Sequence, residues 1–429
     1  MLIRNATLAD GRHRDVRVVG EDIEMVGHGV ERRDGERVVD ATGKRLLPGM
    51  VDVHVHLRQP GFEHKETWEA GTRSAAAGGV TTVVDQPNTR PPTVEGPAFD
   101  RKRSHADDAL VDFGINGGVT EHWDPDSLFD RPLFALGEVF LADSTGEMGI
   151  DESLFVNALE RARKEGVPVT VHAEDESLFD HSARERTDAD AWSAYRRADA
   201  EIRATRRACA LAADRDTRVH IAHASTPESI DAAARAGSTC EVTPHHMLLS
   251  RRHLDELGTH GRMNPPLRRE RHRRKVFERV VDGTVDVVAT DHAPHTRKEK
   301  DADIWDAPSG VPGVETALPL LLAQARQGTL GFDRVRDLTA RNPAAIFGLS
   351  RKGGIEEGNH ADLVLVDTGD VECIRATDLH TNAGWTPFEG HEAVFPEWTM
   401  CRGQVVYRRK NDSFEPHQGE NVRRQNGDR

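Results

Sequence analysis

The sequence predicts an α/β protein: a (β/α)8 TIM barrel with a small β-sandwich domain formed from both termini. Three observations predict it. Eight short apolar runs alternate with helical stretches through the middle of the chain. Segments with strand-like alternation lie at both ends. Metal-ligand residue types stand at the ends of several of the runs. The 429 residues exceed one minimal domain and suit a large barrel with a smaller partner.

Residues 1–48 open with LIRNATL, DVRVVGEDIEMVG and RVVDATG, whose alternation and Gly or Asp punctuation read as short strands. Residues 49–349 hold the barrel. Its eight candidate strands are LLPGMVDVHVH, VTTVVDQ, VDFGING, FALGEVFLA, VPVTVHA, RVHIAHA, STCEVTP and VDVVATDH. Helical stretches such as SLFVNALERARKEG and PESIDAAARAG lie between them and run out at glycine. In such a barrel the C-terminal strand ends surround the active site. Residues 350–408 return to strand-like text, GGIEEGNHADLVLVD and WTMCRGQVVYR, and complete the small domain. Residues 409–429 are polar and read as a mobile tail. The segment TRKEKDADIWDAPSG is long, charged and short of apolar anchors. It reads either as a cover over the site or as an ordinary solvated loop.

Lys and Arg number 57 against 72 Asp and Glu, a net charge of −15. That balance excludes nucleic acid and anionic membrane as main partners and leaves room for a small substrate, an anionic one included. Cys209, Cys240, Cys373 and Cys401 form no CxxC pair, so reduced thiols are expected. The first residues have no apolar signal-type core, and no apolar run approaches the ~20 residues of a membrane span. A cytoplasmic protein is expected.

The first chemical signal is His54-Val55-His56 at the end of the first barrel run. Side chains two apart on a strand share a face, so both imidazoles can meet one metal ion. Alone, the pair reads equally as two histidines hydrogen-bonded to backbone. It is joined by His172, His223 and Asp291 at three other strand ends, and those ends converge on one cavity. His220, three residues earlier on the same run, is the alternative ligand to His223, which lies nearer the strand end.

The segment HVHLRQPGFEHKETWEAGTRSAAAGGVTTVVDQPNT resembles the signature of dihydroorotases within the amidohydrolase superfamily. VHAED, HIAHAST, TPHHMLLS, RMNPPLR, ATDHAPH, PSGVPGVET, NPAAIFGL and ADLVLVD follow in the family's order, from about residue 40 to 405. The resemblance implies two Zn2+ ions. His54 and His56 would hold one with Asp291, and His172 and His223 the other. Hydroxide between them would be the nucleophile, and Asp291 the catalytic proton carrier. It also implies a substrate-binding set: His56, Arg58 for a ring carboxylate with Asn88 and His295 beside it, Asn264 for the ring amide, and Ser309 and Gly310 for the ring. Structural alternatives are a salt bridge for Arg58 and turn capping for Asn88 and Asn264.

Two positions depart from that pattern. Many superfamily members place a carboxylated lysine on the fourth strand, where this chain has Glu138. Either Glu138 bridges two metals, or Asp143 supplies the ligand, or only one metal is firmly bound. Gln86 stands where Met is common, with no chemical consequence expected. His64, His245, His246 and His292 read as structural. The implied reaction is reversible cyclisation of N-carbamoyl-L-aspartate to (S)-dihydroorotate in pyrimidine biosynthesis. The alternatives are an allantoinase or hydantoinase type of cyclic amidohydrolase, or a non-catalytic relative. Relatives also suggest a homodimer and association with aspartate transcarbamoylase.

Overall fold

The computed structural model describes residues 1–142 and 148–423. The eight candidate runs all become parallel strands: β1 Met50–Val55, β2 Val80–Asp85, β3 Asp112–Ile115, β4 Leu136–Phe140, β5 Val169–His172, β6 His220–Ile221, β7 Thr239–Val242 and β8 Val287–Val288. Strands covered on both faces carry near-continuous apolar text, which is how these runs read. β1–β3 form one arc and β4–β8 another. Isolated bridges close the two seams, Gly117 with Leu136 and Val55 with His292. At the second seam His56 N–H donates to the His292 carbonyl at 2.8 Å.

Helices wrap the strands. Trp68–Gly78 starts at a Thr67 cap that accepts from the Ala70 N–H. Glu152–Glu165 is capped by Asp151, and Pro227–Arg235 by Thr226, as their sequences foretell.

Both chain ends build one nine-stranded sheet. Its junction is the antiparallel pairing of Leu363–Val366 with Arg45–Pro48, with Val364 opposite Leu47. Side chains alternate across this sheet. Leu46, Leu363, Leu365, Trp398 and Met400 enter the small domain's own core. Leu47, Val364, Val366, Cys401 and Tyr407 instead join the barrel's core. The period of two thus presses one sheet between two apolar layers and fixes the small domain on the barrel.

Two expectations are corrected. Residues 409–423 do not trail away. Ser413–Phe414 pairs antiparallel with Gln404–Arg408. Beyond it, Gly419 N–H donates to Ala109 O at 2.7 Å, Phe113 N–H to Glu420 O at 2.9 Å, and Val422 N–H to Phe113 O at 2.8 Å. The approach is so close that a Cβ on Gly419 would lie 1.8 Å from the Val111 carbonyl oxygen. Polar composition predicts mobility only where backbone groups have no partner, and here the barrel's edge supplies them. The segment 296–310 is also anchored. Ile304 is buried, Trp305 donates its indole N–H to Arg186 O at 2.8 Å, and buried Lys300 donates to the carbonyls of Arg262, Pro308 and Gly310 at 2.8, 2.9 and 3.1 Å.

Among the described residues no helix is long and apolar enough to cross a membrane.

Candidate metal and substrate site

The strand ends bring the predicted ligands together. His54 lies on β1, Glu138 on β4 and His172 at the end of β5. His56, His223 and Asp291 lie just beyond β1, β6 and β8. Two triads of ligand atoms result, His54–His56–Glu138 and Glu138–His172–His223, each drawn within 4.8 Å. Glu138 belongs to both. Asp143, the alternative fourth-strand ligand, lies outside the described residues.

Turns rather than straight strand aim several of these side chains. Arg58, His223 and Asp291 take positive φ, at 65°, 34° and 46°, three of only seven non-glycine residues to do so among those described. Such conformations are costly and persist where surrounding structure imposes them, commonly at functional sites. Arg58 therefore reaches the cavity through a left-handed turn, not by the shared strand facing that the sequence suggests.

The hydrogen-bond partners fix the ring tautomers. His54 Nδ1–H donates to Glu241, His56 Nδ1–H to Asn88 Oδ1 at 2.7 Å, and His172 Nε2–H to Glu174 Oε2 at 3.0 Å. Each ring then points its other nitrogen, a lone pair, at a carboxylate. His54 Nε2 faces Glu138 Oε2 at 3.4 Å and Asp291 Oδ1 at 3.6 Å, and it is buried with no hydrogen-bond partner among the described residues. His56 Nε2 faces Asp291 Oδ1 at 3.0 Å. His172 Nδ1 faces Glu138 Oε1 and His223 Nε2, both at 3.0 Å. Facing lone pairs repel unless a cation lies between them. These spacings resemble the ~3.3 Å between neighbouring ligands of a tetrahedral zinc with bonds of about 2.0 Å. The inward nitrogens and carboxylates therefore fit a divalent metal. An outward oxygen on each of these three imidazoles is the usual support of a metal-binding histidine. His223 differs, since its outer Nδ1 is buried without a partner among the described residues.

The charges show the same compression. Where no cation lies between them a proton takes its place: burial alone would lower the His172 pKa, but hydrogen bonds to Glu138 and Glu174 raise it to about 9. Burial alone would raise the Asp291 pKa, but the His56 hydrogen bond and the charges of His54 and His56 hold it at about 2. Burial likewise opposes ionisation of Glu138, yet the neighbouring His223 and His54 hold it well below the ordinary carboxylate value.

The sequence reading missed several supporting residues. Glu241, on β7, accepts from His54, from His220 Nε2 at 3.2 Å and from the His223 N–H at 3.2 Å. A glutamate inside the apolar run STCEVTP was a legible signal. Glu174 is held by Arg196 Nε at 2.9 Å. Gln86 is no bystander, because its Oε1 accepts the Glu138 N–H at 2.8 Å. His220 supports rather than ligates, lying between Glu241 and Thr239 Oγ1. His246 is satisfied by Thr243 and by the Pro265 carbonyl. His245 is buried with Nε2 unpartnered among the described residues. His292 Nδ1 accepts from the Gly313 N–H at 3.1 Å, and His64 meets Glu299 at the surface.

Of the substrate-side candidates, His56, Arg58, Asn88, Asn264, Ser309 and Gly310 line the same cavity, and His295 lies against Arg58 outside it. Arg58 is buried. Its Nε donates to Pro294 O at 3.1 Å and its Nη2 lies 3.1 Å from His295 Nε2. No carboxylate ion-pairs with it among the described residues, so the salt-bridge reading is set aside. Burial lowers its pKa to about 10, and it stays charged. His295 receives Lys65 Nζ at Nδ1, 3.1 Å away, and directs Nε2 to the Ser309 carbonyl at 3.0 Å. Burial, then Arg58 and Lys65, holds this ring neutral. Asn264 Oδ1 accepts from Trp192 Nε1 at 2.9 Å and from Ser309 Oγ at 3.3 Å. Gly310, at φ 134°, has the Ala293 carbonyl oxygen 2.5 Å from where a Cβ would sit, so only glycine lets the backbone approach here.

Known proteins resemble this chain along nearly its whole length. The amidohydrolase family pattern matches residues 45–406. A dihydroorotase of Halobacterium salinarum is 63% identical over 424 residues, covering 98% of this chain and 99% of the relative. A dihydroorotase of Methanosarcina acetivorans is 42% identical, covering 95% and 91%. Among solved structures, the L-hydantoinase (dihydropyrimidinase) of Arthrobacter aurescens superimposes with a TM-score of 0.93 at 25% identity, over 99% of both chains. A barrel with ligands at these strand ends, a sheet built from both termini, and relatives this similar lead to one conclusion: the chain belongs to the amidohydrolase family, among its dihydroorotases.

Proposed function

We propose that the protein interconverts N-carbamoyl-L-aspartate and (S)-dihydroorotate, with two zinc ions held around Glu138. The observation that carries this reading is a buried guanidinium, Arg58, with no carboxylate partner among the described residues, lining the same cavity as His56, Glu138, His172, His223 and Asp291. A ring that bears a carboxylate supplies the missing anion. A hydantoin or allantoin ring does not.

His54, His56 and Asp291 would hold one metal, His172 and His223 the other, with Glu138 between. The bound metal supplies an acidified water near neutral pH and polarises the ring carbonyl. The chain's own groups do the rest. Arg58 pairs with the ring carboxylate in charge-assisted hydrogen bonds. The Asn88 amide and the neutral His295 ring stand on the carboxylate side. Asn264, Ser309 and the Gly310 backbone hold the ring amide edge. The Asp291 carboxylate accepts the proton of the attacking water and delivers it to the ring nitrogen as that nitrogen leaves. In the cyclising direction the same carboxylate takes the proton from the carbamoyl nitrogen.

Turnover of dihydroorotate, allantoin and a hydantoin, measured on the same zinc-loaded protein, tests the proposal. Dihydroorotate is expected to be much the fastest, with activity lost on chelation and restored by zinc. Faster turnover of either other ring overturns the choice of substrate. Arg58→Gln is expected to raise KM for dihydroorotate by about 10- to 100-fold, the ~1.5–3 kcal/mol of a charged hydrogen-bonded pair. Its zinc content should not change. An unchanged KM would remove Arg58 from carboxylate recognition.

A further inference from the structure

Gln86 and Glu138, the two departures from the family pattern, are hydrogen-bonded to each other. Gln86 follows β2 and is 1% exposed. Its Oε1 accepts from the Glu138 N–H at 2.8 Å and from Asn116 Nδ2 at 3.1 Å, and its Nε2 donates to Val53 O at 3.3 Å. Val53 lies on β1, Asn116 directly follows β3, and Glu138 lies on β4. One carboxamide thus joins four successive strands. It does so across the seam between the two sheet arcs, where the Gly117–Leu136 bridge and the Phe134 N–H bond to Ile115 O also join them. The amide orientation is set by its partners: two N–H donors require the oxygen, and a carbonyl requires the NH2. Buried Lys102 grips the Gln86 carbonyl and Asp85 Oδ2, and the Gln86 N–H donates to Val55 O at 2.9 Å, so the whole residue is held from both sides.

The position of Glu138 matters because its two oxygens serve different partners. Oε1 faces His172 and His223, and Oε2 faces His54. A glutamate side chain is short, and its reach is set by where its backbone sits. We infer that Gln86 is a positioning residue for the metal centre: by accepting the Glu138 N–H it fixes the backbone from which the shared carboxylate reaches both imidazole groups. Gln86 touches neither substrate nor reacting atoms and acts through Glu138. A methionine would fill similar volume and leave a buried N–H without an acceptor, which the strand can relieve only by moving.

The inference rests on Glu138 being a metal ligand, and the test separates the two claims. Zinc affinity of the metal-stripped protein would be measured by chelator competition for the parent, Gln86→Met, Glu138→Gln and the double variant. Gln86→Met is expected to weaken zinc binding by about 10- to 100-fold, the range seen when support of a ligand is lost. In the Glu138→Gln background the same change should add little, because its route is already cut. A role confined to folding would lower the melting temperature and leave the two effects on zinc multiplicative. Multiplicative effects, or undiminished zinc affinity in Gln86→Met, would overturn the positioning role while leaving Glu138 a ligand. Undiminished affinity in Glu138→Gln would overturn both. Should Gln86→Met not fold, Asn116→Ala releases one anchor of the carboxamide and keeps the acceptor. It is expected to weaken zinc binding to a smaller degree, again only when Glu138 is present, and no loss in this variant overturns the inference.

Discussion

Asp291→Asn is expected to lower kcat for dihydroorotate by about 10²- to 10⁴-fold or more, the usual contribution of a positioned acid–base group. The amide can neither take the proton of the attacking water nor deliver it to the ring nitrogen. KM should change far less, because Arg58, Asn264 and Ser309 lie on other segments and the Arg58 guanidinium is held by Pro294 O. The kcat–KM split therefore distinguishes loss of the proton carrier from loss of the pocket. Zinc analysis of the same variant completes the measurement, since Asp291 Oδ1 also faces His54 and His56. A variant that keeps its zinc and half its kcat would remove Asp291 from the chemistry.

Lys352→Met is expected to destabilise the fold by about 3–5 kcal/mol, as removal of one partner of a buried ion pair does. The ammonium lies 2.7 Å from Asp112 Oδ2 and 2.5 Å from Asp362 Oδ2, with all three side chains at most 5% exposed. Asp112 is on β3, Asp362 precedes the strand Leu363–Val366, and Arg402 of the small domain adds a second cation to Asp112 at 2.8 Å. The Glu420 N–H donates to the same carboxylate at 2.8 Å. One buried cluster therefore holds barrel, small domain and the last described turn together.

The pH dependence follows from the shifts. Burial alone would raise the Asp112 pKa, but Lys352 and Arg402 hold it below its ordinary 3.8. Its contribution is present above that value and is lost as pH falls through the lower folded value. Burial alone would lower the Lys352 pKa, but Asp112 and Asp362 raise it above 10.5. Its contribution is complete below 10.5 and is lost as pH rises through the raised folded value. The cluster is thus at full strength across neutral pH. Without the ammonium the buried carboxylates favour a proton, and a raised acid pKa gives stability that fades as pH rises. Denaturant unfolding at about pH 5 and about pH 8 reads the difference. The variant's deficit should be larger at the higher pH. Equal stability of variant and parent would show the cluster to be energetically neutral.

Much of the site was legible because its chemistry repeats a simple rule. His54, His172 and Asp291 each stand at the end of an apolar run, and a barrel gathers run ends into one place. Glu138 was legible as a carboxylate inside an apolar strand, where burial demands a partner. Glu241 carries the same mark, a carboxylate inside an apolar run. Gln86 could not be interpreted at all from sequence. Its meaning lies in Asn116 and Val53, residues 30 and 33 positions away in the chain, and in a strand seam that no local pattern reveals. The tail was misread for a related reason. Composition reports side chains, whereas residues 409–423 are held mainly through backbone N–H and carbonyl groups that every residue type carries.

The sequence by itself determined the eight-strand rhythm, the pairing of both ends in one small sheet, and the residue types that converge on one cavity. These follow from local patterns of polarity, which repeat every two residues in strands and are interrupted where chemistry is needed. Only the tertiary structure decided which nitrogen of each imidazole faces inward, that Arg58 has no anionic partner among the described residues, and that His223 rather than His220 meets Glu138. Those outcomes depend on distances of about 3 Å between residues far apart in sequence, and hydrogen bonds are made or lost on that scale.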